Sequence, residues 1–301
     1  MNMDSPSLGP KWQIKSCQIN DNISIRYGLF TPHDGPLTHV LIHMNGRGEW
    51  IEKLADLPES IDLPSGWAFL TWDHRGQGAS DGARAHIASF DDFVFDAQKV
   101  ISEAIGSTPY SITCHSMGGL IAIYGTVKGC FNPQQIISSA PLLGLPNHPI
   151  PAIIAGPLAQ ALSVIGFSKV SSGGGRHEKS AFECNDLTHD TYVYQKVCNS
   201  PYPIPGASFG WINAAWHATK YIFKPEHLKK LTTPVTILAA EEETVVNPSA
   251  QVKWCELAKK HAKANINYHL IKGARHELFS EDAKFRDQAI EIAREKLFSS
   301  M

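Results

Sequence analysis

The sequence lacks a dense basic stripe. Lysines and arginines number 27 against 29 aspartates and glutamates, for a formal net charge of -2. That balance excludes a nucleic-acid protein built on a positive surface. Cysteine is sparse and unpaired in sequence: Cys17, Cys114, Cys130, Cys184, Cys198 and Cys255 are scattered, with no C-x-x-C pair. Neither a disulfide framework nor a zinc signature follows, and a reducing compartment fits best. A Cys184–Cys198 bridge is possible in principle but not expected without a secretory signal. No H-E-x-x-H or comparable cluster occurs among the 14 histidines, so no metal is expected. The N-terminal stretch MNMDSPSLGPKWQIKS has no apolar core of a secretory signal, so a cytoplasmic location is expected.

Nucleotide motifs are missing too. WDHRGQGASDG, at Trp72–Gly82, would need a glycine where Asp81 stands to read G-x-G-x-x-G. It reads instead as a loop at a strand's carboxyl end, shaping the rim of a site. Gly173–Gly175 lacks the Lys and Ser/Thr of a phosphate loop and reads as a flexible segment. No cofactor is therefore expected. The longest uncharged stretch, PIPAIIAGPLAQALSVIGF at Pro149–Phe167, has nearly the length of a membrane span. Pro149, Pro151, Pro157, Gly156 and Gly166 interrupt it, so it reads as a short apolar or amphipathic helix of a soluble protein.

Strand–helix alternation is present in strength. HVLIHM (His39–Met44), WAFLTW (Trp67–Trp72), YSITC (Tyr110–Cys114), QIISSA (Gln135–Ala140) and PVTILAA (Pro234–Ala240) read as strands, several apolar on both faces. Such strands suit a mostly parallel central sheet covered by helices. Phe90, Phe93, Val94, Ala97, Val100, Ile101 and Ala104 recur at helical spacing behind Ser89, a plausible N-cap. Phe285, Ala289, Ile292, Ala293 and Leu297 make a second stripe. The pattern predicts an α/β fold. It stops between about 146 and 225, which is rich in Pro, Gly, Ser and aromatics. Residues 1–145 and 226–301 are read as the core and 146–225 as an inserted lid.

Cys114-His115-Ser116-Met117-Gly118 sits where the predicted strand YSITC meets the apolar helix GGLIAIYGTV. A nucleophile elbow needs that setting, a sharp strand-to-helix turn that presents the serine. The helix N-terminus adds N–H groups beside developing negative charge. The first glycine of G-x-S-x-G is Cys114 here, whose Cβ is expected to strain or open the turn. Ser116 needs a base and the base an orienting carboxylate, in the chain order Ser, acid, His. His276, after a strand and glycine turn in YHLIKGARHELFSE, is the base; the acid is Glu241, Glu242 or Glu243. His115 is expected to point away from the site as a packing residue. The oxyanion donors are the backbone N–H groups of Met117 and of Arg47, with Gly46 allowing close approach to substrate.

With these residues placed, the chain resembles the α/β-hydrolases that include bacterial lysophospholipases and monoacylglycerol lipases. NGRGEW, DHRGQGASDG, HSMGGL, SSAPLLGL, EEETVVN and GARHELFSE carry the resemblance, in that order, from about residue 40 to 285. It implies the α/β-hydrolase fold with a helical lid, Ser116 as nucleophile and His276 as base. The acid position falls on Glu243, where most members carry Asp. Asn45 replaces the histidine of the family's H-G-x-G loop. The activity implied is cleavage of a lysophospholipid or monoacylglycerol ester, without cofactor or metal. The partner is then a lipid or small ester, with no nucleic acid and with transient contact at the inner membrane surface left open. In that frame Leu158 and Leu162 line an acyl tunnel or touch lipid. A proline-releasing aminopeptidase, or a small-ester carboxylesterase of the same fold, is the alternative. Glu178, Glu183, Asp186 and Asp190 are the carboxylates that could hold the aminopeptidase substrate's ammonium. A non-catalytic ligand-binding protein is the alternative of another class.

Overall fold

The computed structural model describes residues 8–147, 150–173 and 181–298. Glu178, His148, Pro149 and Gly174–Gly175 lie outside the described residues. Eight strands form one sheet in the order β1-β2-β4-β3-β5-β6-β7-β8. They are β1 (Trp12–Asn20), β2 (Ile23–Phe30), β3 (His39–Met44), β4 (Trp67–Trp72), β5 (Tyr110–His115), β6 (Ile136–Ser139), β7 (Val235–Ala240) and β8 (Ile266–Ile271). The first pair is an antiparallel hairpin whose second strand also runs antiparallel to β4; every later pairing is parallel. Strands β3, β4, β6 and β7 are buried at every residue, which is why they read as continuous apolar runs.

Helices cover both faces. They are α1 (Leu57–Ile61), α2 (Phe90–Ile105), α3 (Met117–Val127), α4 (Ala152–Leu162), α5 (Thr191–Cys198), α6 (Phe209–Ile222), α7 (Pro225–Leu228), α8 (Pro248–His261) and α9 (Ala283–Phe298). One core unites α2, α3, α6 and α8 with one sheet face; a second packs α1 and α9 on the other. Ser89 caps α2, its Oγ accepting from Asp91 N at 3.1 Å, and the expected stripe from Phe90 to Ile101 is buried. All six cysteines are free thiols.

Between β6 and β7 the described residues add no strand to the sheet. Helix α6 joins the main core through Trp211, Ala214, Ala215, Ala218 and Ile222. Helix α4 lies against it, so close at Gly156 that a methyl there would overlap the Trp216 ring. Past Leu162 the chain widens into a turn, Ser163–Phe167, where Gly166 takes φ 99°. Among the described residues no helix is long and apolar enough to cross a membrane.

Candidate active site

Ser116 occupies the turn between β5 and α3 at φ 51°, ψ −113°. A non-glycine residue rarely adopts this backbone, at a cost on the order of 1–3 kcal/mol. The surroundings hold it there: Ser116 N donates to Ser139 O at 3.0 Å, and Ser116 O accepts from Gly119 N at 3.0 Å and Leu142 N at 2.9 Å. The turn is tight because α3 passes directly over β3. A methyl at Gly118 would overlap the Met44 carbonyl, and one at Gly119 would overlap Ser138 Oγ. The positive φ falls on Ser116 and on Ala140, not on Cys114, so the strain expected at Cys114 is carried by the serine itself. Cys114 tolerates its Cβ because it is still strand, paired with Met44 and Ser138.

His276 and Glu243 meet at 2.7 Å, Nδ1 to Oε2, with both side chains fully buried. Facing a carboxylate, Nδ1 carries the proton and donates, which leaves the lone pair on Nε2. Among the described residues Nε2 has no hydrogen-bond partner. Glu243 Oε1 accepts from Val245 N at 2.8 Å and Val246 N at 3.0 Å. Burial alone would raise this carboxyl. The charge of His276 and these hydrogen bonds outweigh burial and hold it below the ordinary carboxylate range. The neighbouring glutamates serve elsewhere: Glu241 accepts from Gly273 N at 2.8 Å, and the exposed Glu242 lies 3.5 Å from Arg275. Of the three, only Glu243 meets His276.

The loop Asn45–Glu49 approaches from β3. Asn45 pins it, donating to Trp72 O at 3.0 Å and accepting from Thr71 Oγ1 at 2.8 Å. Gly46 N–H donates to Glu49 Oε2, and Gly48 N–H to Gln77 Oε1 at 2.5 Å. The Arg47 guanidinium donates to Pro205 O and lies 5.6 Å from the Trp211 ring centroid.

Ser116, Met117 and Arg47 line a cavity of about 530 Å³. Its wall is mainly apolar, from Leu142, Leu145, Ile150, Ala155, Trp211 and Val246 among others. Ser116 itself is only 7 % exposed, so a substrate reaches it through this cavity. Three sets of residues singled out in the sequence are absent from this wall. Gly46 does not line the cavity; its bare backbone makes room for His115 Cδ2 and Glu49 Oε2, which a Cβ would meet at 2.7 and 2.9 Å. Leu158 and Leu162 are not in the wall either, which goes against a tunnel lining but leaves contact with lipid open to the exposed Leu158. Helix α4 turns Gly156 and Ala159 inward and leaves Ile153, Ile154 and Leu158 to solvent. Lastly, Glu183, Asp186 and Asp190 do not line the cavity: Glu183 is exposed, Asp186 accepts from Thr244 Oγ1, and Asp190 caps α5 through Val193 N. Among the described lining residues there is no carboxylate.

His115 is buried as a packing residue, but it does not turn away from the site: its ring lies against His276 with centroids 4.6 Å apart. Burial pushes it down to about 4, so it is neutral at pH 7. Beside it lies a buried group that the sequence does not announce: Glu49, Lys53 and Glu277. The Lys53 ammonium bonds Glu49 Oε1 and reaches Glu277 Oε2 at 2.6 Å. Glu49, His115 and Glu277 bring potential metal-ligand atoms within 4.8 Å of one another. An ammonium already bonds both carboxylates, taking a cation's place. Only one signal was available in sequence, a Glu and a Lys four apart directly after the Asn45–Gly48 loop.

The fold and the strained serine define an α/β hydrolase, and the comparisons agree. Residues 35–283 match the protein family described as serine aminopeptidase, S33, and the chain belongs to it. It is 27 % identical to lysophospholipase L2 of Escherichia coli, over 90 % of this chain and 83 % of that one. Against a monoacylglycerol lipase of Mycolicibacterium smegmatis the identity is 21 %, over 86 % and 88 %. Among solved structures, a soluble variant of the monoglyceride lipase of Saccharomyces cerevisiae superposes with a TM-score of 0.75. That match is 20 % identical and covers 95 % of this chain and 96 % of that one.

Proposed function

We propose that this chain is a serine hydrolase that cleaves the carboxylic ester of a single-chain lipid, a lysophospholipid or a monoacylglycerol. The observation that carries the reading is a strained serine in the wall of a mainly apolar cavity of about 530 Å³. Relatives named lysophospholipase and monoacylglycerol lipase support the substrate class. An apolar wall suits an acyl chain, whereas holding a peptide's terminal ammonium calls for a carboxylate.

In this reading Ser116 Oγ attacks the acyl carbonyl and His276 Nε2 takes its proton. Glu243 fixes the proton-bearing Nδ1 and stabilises the imidazolium. The N–H groups of Met117 and Arg47 receive the oxyanion; the flanking Gly46 and Gly48 N–H groups are committed to Glu49 and Gln77. The imidazolium returns its proton to the departing glycerol oxygen, and water, activated by the same imidazole, releases the fatty acid. Residues 146–225 act as the lid. The exposed apolar side chains of Ile153, Val164 and Ile165 touch the lipid surface, and the enzyme works at the inner face of the membrane.

The test is fatty-acid release from a monoacylglycerol and a lysophosphatidylcholine bearing the same acyl chain, for the natural protein and Ser116→Ala. Release should fall by about a thousandfold or more in the variant, and the ratio of the two rates sets the head-group preference. Release that survives in Ser116→Ala would remove the serine from the mechanism. No release from either lipid by the natural protein would overturn the substrate class and direct attention to small esters and prolyl amides.

A further inference from the structure

We infer that Glu49, Lys53 and Glu277 form a buried ionic clamp that positions the Asn45–Glu49 loop and the His276 loop against each other. The inference rests on the reading of Ser116 and His276 above and extends it to three positioning residues outside the triad and oxyanion hole.

Lys53 lies in the 3-10 turn Ile51–Leu54, and its side chain is 1 % exposed, as is that of Glu49. Its ammonium bonds Glu49 on one side and reaches Glu277 Oε2 at 2.6 Å on the other. Each carboxylate is tied in turn to the machinery. Glu49 Oε2 accepts the Gly46 N–H, one residue before the proposed oxyanion donor. Glu277 directly follows His276, and its Oε2 lies 3.6 Å from Nε2 of His115, whose ring packs on His276. A single ammonium thus joins segments 224 residues apart in sequence. His115, which precedes Ser116, closes the arrangement from the third side, so the strand end of the nucleophile, the base loop and the oxyanion loop converge on one cluster.

A buried ion cluster is weak evidence for added stability. Buried ions give up hydration, and well-packed apolar replacements are often as stable or more so. What an ammonium between two carboxylates supplies is direction: each bond fixes a distance, which an apolar plug would leave loose. Catalytic groups need placement within about 0.5 Å, and a misplacement of about 1 Å costs on the order of a hundredfold in rate.

The decisive variant is the neutral triple replacement Glu49→Gln, Lys53→Met, Glu277→Leu, which leaves no unpaired charge and keeps an acceptor for Gly46. Turnover of a short aryl ester should show kcat lower by about 10- to 100-fold, KM within about twofold, and a thermal midpoint equal to or above that of the natural protein. Glu277→Gln, which keeps an oxygen facing Lys53, should restore kcat to within severalfold of the natural value. If the triple variant does not fold, Glu277→Leu against Glu277→Gln decides by the same split between kcat and KM. A kcat within threefold of the natural protein would overturn the clamp, as would a loss that only tracks the folded fraction measured by circular dichroism. Ser116→Ala run in parallel separates the two readings. Activity abolished there but intact in the clamp variants sinks the clamp alone; activity surviving there sinks both.

Discussion

The two oxygens of Glu243 have separate partners, and that division makes a sharp prediction. Oε1 takes the Val245 and Val246 N–H groups while Oε2 takes His276 Nδ1. In Glu243→Gln the amide oxygen serves one side, and where it stays with the valines an NH2 faces Nδ1. The imidazole then turns to the other tautomer, with its proton on Nε2, where the serine's proton has to go. We expect kcat to fall about 10³- to 10⁴-fold with KM nearly unchanged, while Glu241→Gln and Glu242→Gln stay near the natural rate. Steady-state kinetics on a soluble ester decide it; a Glu243→Gln enzyme keeping a tenth of kcat would sink the assignment. The residues alone left three glutamates open here, because a run of identical side chains carries no periodicity. Only the family resemblance selected Glu243, and the structure gives the reason, with Glu241 spent on Gly273 N and Glu242 turned to solvent. Of the Glu49–Lys53–Glu277 group only the local Glu49–Lys53 spacing was legible; Glu277 joins it by tertiary pairing across 224 residues.

Strands β3 to β7 were legible because burial on both faces leaves an uninterrupted apolar run. The hairpin β1–β2 was not: WQIKSCQIN is exposed at most positions, and its strand character comes from pairing with β2 at the sheet edge. The stretch after Pro151 was legible as apolar but not in orientation. Its inward side is small, Gly156 and Ala159, while Ile153, Val164 and Ile165 are 82, 80 and 66 % exposed. Helix α4 therefore packs by closeness and leaves its bulky side chains outward. Replacing Ile153, Val164 and Ile165 together with Asn should lower hydrolysis of vesicle-borne lipid by about tenfold or more, given about 1.5–3 kcal/mol for each apolar side chain fully removed from water. Hydrolysis of a water-soluble acetate ester should stay within twofold, because none of the three lines the cavity. Gly156→Val is the contrast. It wedges α4 away from Trp216 on α6, the helix that gives Trp211 and Ile212 to the cavity wall, and should depress both activities. Equal loss on both substrates in the triple Asn variant would refute surface contact by this face.

Taken whole, the molecule buries several titratable groups in their neutral form, and its response to acid follows from that. Burial lowers His39, His74 and His115 from 6.5 to about 4, and His43 to about 3. The unfolded chain takes up protons on these imidazoles at higher pH than the folded one. Between about 6.5 and 4 the unfolded state therefore binds more protons, and stability declines as pH falls through that window. Asp73 works in the opposite sense. Burial raises it to about 6 against the pull of Arg26 and two backbone N–H groups, so its contribution is lost as pH rises from 3.8 to 6. Burial also raises the Asp96 carboxyl, in the sense of Asp73, and lowers the His86 imidazole, in the sense of the other four; five imidazoles against two carboxyls leave a net loss on acidification. Glu243 and Glu281, both held below the ordinary carboxylate range, contribute stability that goes only as pH drops below about 4.3 and through their folded values. Urea midpoints measured at pH 7, 6, 5 and 4 should thus begin to fall below 6.5, well before carboxylates ordinarily titrate. A midpoint level down to pH 5 would mean that these histidines gain protons inside the fold, and the neutral, tightly packed interior around His43, His74 and His115 would have to be given up.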